Sequence, residues 1–352
     1  MSNPPQNNPS EETRAFLARQ PPGAVFQCML DIFRFYDIGD RMPRGKLNFS
    51  TLTDEEYVHF TRFTSGNIRT ITILLEMPEK IIGPTGLEFT REEAFFFLCA
   101  RLAWPTRMKT LEFTFGYDIV LISEAMNWAL QHIVDHWDFL LDDFESGHLS
   151  EDRLALFASK IHAKGSPLDK CWGFIDFTIR RACPQAEWER EEYRRNMHLK
   201  NYKYQAVKSP DGLIYHLFGP EDGSPRTLLR ESHLLDHCED NAPSYYMYGN
   251  SDYSITENLI TAYGSLNITE DQKMFNRAMR SCHECVEWGF ADVLRLWTAL
   301  DFKTTQQLFG DVDVGSHYRV AVLLTNFHIC LYGSSTSTFF DCDPPTLEEY
   351  LG

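Results

Sequence analysis

Between residues 24 and 150 apolar side chains recur at intervals of three and four, and after residue 170 they alternate with polar ones. The chain therefore divides into a helical part followed by a mixed part. Residues 24–36 and 61–77 carry apolar positions at helical spacing, the second as repeated Ile and Leu. Thr90-Arg91-Glu92-Glu93 supplies an N-cap with acids in the first turn, which predicts a helix through Ala103, closed by Pro105. Residues 108–115, then Gly116, then 118–137 read as helix, tight turn and helix, the outline of a helix-turn-helix.

A polar stretch over 147–170 marks the change of character. Residues 171–180 predict a strand with one acid, Asp176, inside an apolar run. Residues 202–207 and 213–218 predict a hairpin about Ser209-Pro210-Asp211-Gly212, whose residue types favour chain reversal. A short helix over 228–235, a buried strand over 244–248 and a long helix over 269–300 complete the pattern. The order strand, strand, strand, helix, strand, helix is that of an RNase H-like core, so the fold class expected is α/β. Three segments are predicted: a disordered polar tail over 1–22, an all-helical N-terminal domain over 23–165, and the α/β domain over 166–352.

Charge narrows the functional classes. The net charge is −17, with acids in excess in both halves, so nonspecific attraction to nucleic acid phosphates gets no global help. The basic residues that could serve DNA concentrate in 180–208, which holds eight, half of those beyond residue 170. Arg194, Arg195, Lys200 and Lys203 are the phosphate-contact candidates there, although Glu187, Glu189, Glu191 and Glu192 allow a salt-bridged surface instead. The helix-turn-helix outline is poor in the same respect. Residues 110–152 contain ten acids and no Lys or Arg, so it reads as a degenerate element that is structural or contacts protein. No apolar run approaches the roughly 20 residues that a membrane span needs.

Nine cysteines are scattered, mostly in apolar stretches, as buried thiols of a reducing compartment would be. Cys282-His283-Glu284-Cys285, with His328 and Cys330 downstream, is the one grouping with a zinc reading; two helix-buried thiols are its simpler alternative.

Several segments in order carry a family likeness. They include Arg101-Leu102-Ala103-Trp104-Pro105, Phe115-Gly116, Asp176, Pro210-Asp211-Gly212-Leu213-Ile214, Leu229-Arg230-Glu231-Ser232 and Val286-Glu287-Trp288-Gly289-Phe290. Tyr318-Arg319-Val320, Thr325-Asn326-Phe327-His328, Cys330-Leu331-Tyr332-Gly333 and the ending over 344–351, PPTLEEYL, continue it. Across residues 58–351 the chain resembles the Harbinger-type (PIF/Harbinger) transposases, fungal members especially. The resemblance implies a DDE endonuclease in which three carboxylates hold two divalent cations, magnesium or manganese, and hydrolyse or join DNA strands. It also implies a separate Myb-like DNA-binding partner and a nuclear location, cytoplasmic otherwise.

By that resemblance Asp176 is the first carboxylate and Glu287 the third. The second position departs from the family's Gly-Asp-x-x-Tyr: here it reads Gly249-Asn250-Ser251-Asp252-Tyr253. Asn250 keeps an oxygen and loses the charge, while Asp252 offers a carboxylate two residues on, about 6.6 Å along an extended strand. The candidate set is thus Asp176, Asn250, Asp252 and Glu287, with Asp176, Asp252 and Glu287 as metal ligands. Phe177, Arg226-Thr227 and Arg195-Asn196-Met197-His198 also depart from the family pattern. Two functions follow from these expectations: an impaired metal-dependent nuclease, or a catalytically dead member of the fold that binds a protein partner.

Overall fold

Threonine caps set the helical frame. Thr53, Thr64 and Thr90 each accept a backbone N–H three residues on, and Glu56, Asn67 and Glu93 reach back to complete capping boxes. The computed structural model describes residues 46–142, 144, 148–181, 201–221, 223–264, 267–301 and 314–352. The expected tail over 1–22 and helix over 24–36 lie outside the described residues.

Three helices, α1 (Asp54–Thr61), α2 (Ser65–Leu74) and α3 (Arg91–Ala103), surround an aromatic interior. Residues Ala94 to Ala103 of α3 are all buried, so α3 is the centre of this layer rather than an amphipathic surface helix. Phe96 packs edge-on to Phe97 and Phe115, and Phe97 to Tyr117. The periodic stretch 61–77 does not form one helix. Arg62 turns left-handed at φ 72° and ends α1, and its guanidinium donates to the carbonyls of His59, Ala103 and Leu296. The break thereby ties the first helix to the distal end of the chain.

An all-helical N-terminal region is not what forms. Two short strands, β1 (Lys80–Ile82) and β2 (Glu88–Thr90), pair antiparallel with Ile81 opposite Phe89. The β-branched Ile81-Ile82 pair followed by Gly83-Pro84-Thr85-Gly86 is hairpin chemistry inside a helical stretch, with Gly86 at φ 84°. Helix α4 (Met108–Phe115), Gly116 at φ 66° and helix α5 (Ile119–Trp137, capped by Asp118) follow the predicted boundaries. The inner face of α5, from Ile122 to Ile133, is buried against α3. His132 and Trp137 both bond the Leu75 carbonyl at the end of α2.

Helix α6 (Glu151–Ala163) leads into the sheet. Strands β3 (Cys171–Arg181), β4 (Asn201–Lys208), β5 (Ile214–Glu221), β6 (Tyr246–Gly249) and β7 (Leu259–Thr261) stand in the order β5-β4-β3-β6-β7. The first three pair antiparallel; β3, β6 and β7 are parallel. The protein is therefore a mixed α/β fold with a five-stranded mixed sheet. Strand β7, three residues long and flanked by no turn pair, was not foreseen. The predicted helix over 228–235 is two helices, α7 (Pro225–Glu231) and α8 (Leu234–Asn241), separated by His233 at φ 52°.

Helix α9 (Glu270–Leu296) crosses the sheet on a stripe of Met279, Cys282, Val286, Phe290 and Val293. Helix α10 (Val314–Tyr332) is buried from Val320 through Phe327; α11 (Ser335–Phe340) and α12 (Leu347–Leu351) close the chain. Edge strand β5 is not left open at Ile214. The Asn326 side chain accepts from Ile214 N at 3.0 Å and donates to Ile214 O at 2.8 Å, while bonding Tyr350 Oη. One amide stands in for a neighbouring strand and satisfies a buried backbone pair.

Arg319 joins the helical layer to the sheet, donating to Asp138, Asp142 and the Leu217 carbonyl. Beside it His216 is fully buried on β5, with Asp142 Oδ1 at 4.0 Å, too far for a hydrogen bond, and the Arg319 charge nearby. Burial first, then Arg319, pushes its pKa from 6.5 down to about 3. Between these values the unfolded chain takes up a proton that the native state refuses, so stability present above pH 6.5 drains away as pH falls. The loss is about 1.4 kcal/mol per pH unit, roughly 2 kcal/mol by pH 5. Urea midpoints measured from pH 7 to pH 5 should fall on this account in the wild type, and His216→Phe should flatten the fall by that amount.

Candidate metal centre

Alternation along β3 puts Phe174 and Asp176 on one face. The Phe174 ring meets the His283 ring edge-on at 6.0 Å, so this face looks onto α9. One turn further along α9, Glu287 follows His283 at i, i+4 and shares its side of the helix. One ring nitrogen of His283 and one carboxylate oxygen from each of Asp176 and Glu287 lie within 4.8 Å of one another. Among the described residues this is the group of three or more metal-capable side chains that assembles.

Parallel pairing delivers the fourth element. Ile175 stands opposite Gly249 at the end of β6, so Asn250 emerges beside Asp176. A Cβ on Gly249 would approach Ile175 Cγ2 at 2.8 Å and the Tyr253 ring at 3.1 Å, so the two strands close up only over glycine here. The Asn250 Nδ2 group donates to Asp176 Oδ1 at 3.0 Å, and Asn250 Oδ1 accepts from Asp252 N at 3.0 Å. The second bond decides the orientation of the amide. A turned amide would face one N–H with another, so the side presented to Asp176 is the donor side.

Asp176 Oδ1 also accepts from Phe177 N at 2.8 Å. Burial raises its pKa above the usual carboxylate value, with His283 and the Phe177 bond pulling it down and the charges of Glu287 and Asp252 pushing it up. Tyr253 is buried, and its hydroxyl is pushed well up, by burial first and then by Asp176 and Asp252. Asp252 itself is exposed and stands outside the three-group cluster; its backbone, rather than its carboxylate, is what the Asn250 amide uses.

Lys208 of β4 is fully buried and passes beneath α9 at Gly289, where a Cβ would lie 2.6 Å from Lys208 Cδ and 2.7 Å from Nζ. The Val-Glu-Trp-Gly-Phe segment thus places its glycine where a buried lysine passes closest to α9, two residues from Glu287. Trp288 turns to the other side, edge-on to Phe339 at 5.7 Å.

The other candidates fall elsewhere. Lys203 donates to the Gly223 carbonyl at 2.7 Å and so braces the loop after β5; Arg194, Arg195 and Lys200 lie outside the described residues. The cysteine-rich zinc reading finds no centre among the described residues. Cys282 is buried toward the Lys164 carbonyl, His328 packs on Tyr332 at 4.6 Å, and Cys330 lies near Asp211 and Arg153. The helix that carries the Cys-His-Glu-Cys run sends His283, not Cys282, toward the acids. His283 was in view in the sequence as a possible zinc ligand, and its spacing of four from Glu287 was the signal that pairs them.

Residues 175–326 match the family described as DDE superfamily endonuclease. The match begins one residue before Asp176, takes in Asn250, His283 and Glu287, and spans somewhat under half of the chain. This segment is therefore similar to DDE endonucleases, a transposase-like class of metal-dependent hydrolases of DNA. No curated protein and no solved structure matches the chain.

Proposed function

We propose that the chain is a Harbinger-type, transposase-derived DDE endonuclease with an RNase H-like nuclease domain over 166–352, acting on DNA phosphodiesters with a divalent cation. The observation that carries this reading is the meeting of Asp176, on the central strand, with Glu287, on the helix that follows the parallel strands. The sheet order, three antiparallel strands and then two parallel ones, supports the RNase H-like assignment. A cation held there would polarise a phosphoryl oxygen and lower the pKa of an attacking water.

The chain's own residues divide the remaining tasks. Asp176 and Glu287 offer anionic oxygens, which hard dications need. Asn250 fixes the Asp176 carboxylate, and Lys208 passes beneath α9 at Gly289. DNA would have to be brought to an acidic protein, with its net charge of −17 and a degenerate helix-turn-helix. A Myb-like DNA-binding partner and a nuclear location supply that. A second reading is favoured by one observation, the Asn250 amide standing where a second carboxylate is expected: the fold persists as a catalytically dead module that binds a protein partner.

Nicking of supercoiled plasmid in the presence of Mn²⁺ separates the two. Nicking by the wild type that is lost in both Asp176→Ala and Glu287→Gln supports the nuclease. Folded protein that nicks no DNA, or nicking that survives both substitutions, overturns it.

A further inference from the structure

His283 is only 9% exposed, packed edge-on to the Phe174 and Tyr248 rings, and it stands at a centre where carboxylates alone are expected. Its Nε2 lies 3.3 Å from the Ile175 carbonyl, and a carbonyl only accepts. That bond therefore places the proton on Nε2 and leaves the lone pair on Nδ1, the way protein scaffolds fix the tautomer of a ligating imidazole through its other nitrogen. Ligand atoms on one ion at about 2.1 Å each stand up to about 4.2 Å apart. The trio stands within 4.8 Å through one atom of each residue, so side-chain rotation, without backbone movement, can close it on an ion.

The same geometry argues against two ions. A carboxylate shared by two cations uses both oxygens, but Asp176 Oδ1 already accepts from Phe177 N and Asn250 Nδ2. Oδ2 is the oxygen left to face a cation. The Asn250 donor also occupies the direction from which a second ion would approach, with its partial positive charge toward the shared carboxylate.

We propose that the centre is a single-ion site of Asp176 Oδ2, His283 and Glu287, selective for a first-row transition dication over magnesium. The inference rests on the nuclease reading for the site's place in the fold, not for its ligands. Magnesium demands oxygen ligands in near-ideal octahedra, whereas imidazole suits manganese through zinc increasingly well along the series. One nitrogen and two carboxylates make a borderline donor set, and the loss of the second acid weakens magnesium most because its binding is the most purely electrostatic.

Calorimetric titration of the full chain with MgCl₂ and with MnCl₂, paired with pulsed EPR of the bound manganese, tests this without DNA. Expected are one manganese ion per chain, at least tenfold tighter than magnesium, and nitrogen hyperfine coupling that disappears in His283→Gln. Glu287→Gln, on an exposed position that should not disturb folding, should weaken manganese while leaving the nitrogen coupling of the remaining bound ion. Equal affinity for the two ions, two ions per chain, or absence of nitrogen coupling in the wild type overturns the single-ion histidine site and leaves the carboxylate nuclease standing. No binding of either ion overturns the site as well, and the plasmid assay then judges the nuclease reading by itself.

Discussion

Arg153→Ala is expected to destabilise the protein by about 3–5 kcal/mol, the cost of leaving a buried carboxylate without its counter-charge. Asp211 sits in the β4–β5 turn with no exposed surface, and Arg153 Nη2 of α6 reaches its Oδ2 at 2.9 Å. The carboxylate also accepts from Ser209 Oγ, from Leu213 N at 3.1 Å and from Tyr215 Oη at 2.9 Å. These neutral donors hold the turn's shape but bring no formal positive charge. Truncating the arginine therefore strands an anion that the turn cannot turn outward, because Leu213 and Tyr215 beside it are themselves buried. Urea unfolding at pH 7 should show a lower midpoint at unchanged slope. Adding Asp211→Asn to Arg153→Ala should recover more than half of the loss, since the amide keeps an acceptor oxygen without the stranded charge. If the double variant is no better than the single one, packing of the arginine stem rather than charge explains the loss.

That turn shows where sequence reading stops. Ser209-Pro210-Asp211-Gly212 announced a reversal, and the strands on either side pair as expected. Nothing local announced that the turn would be buried, because the burying partners, Arg153 and Tyr215 with Cys330 nearby, come from separate elements. The helices that open at Thr90 and Thr269 were legible at their starts because a cap is local chemistry, satisfied three residues away, whereas those that open at Thr53 and Thr64 were not read. Arg62 and His233 hid their helix breaks, since a left-handed non-glycine residue leaves no mark on periodicity; Arg62 is held so by bonds to Ala103 and Leu296, His233 by its local bond to Asp236. At the centre, Asp176 and Glu287 were legible from their setting and from family likeness. The roles of Asn250 and His283 were not. They depend on which side of an amide faces inward and which side of α9 faces β3, and both follow from the register of β3 with β6 and the packing of α9.

Asn250→Asp should raise magnesium affinity about a hundredfold, near 2.7 kcal/mol, while lowering the stability of the metal-free protein. In the wild type the Asn250 N–H group does part of a cation's work: it neutralises the Asp176 oxygen that it touches at 3.0 Å. Its own oxygen stays bonded to Asp252 N in the variant, because an aspartate Oδ1 accepts that bond equally well. The second aspartate oxygen then faces Asp176 where the donor stood, and two carboxylates about 3 Å apart cannot both stay charged cheaply. Already raised by burial, the Asp176 pKa should rise further. A dication between them relieves the repulsion, so thermal unfolding of the variant should gain several degrees on adding millimolar magnesium while the wild type gains little. A variant whose apo stability is unchanged, and which ignores magnesium, would show that Asn250 is turn chemistry alone and that the acid it displaced had no cation to hold.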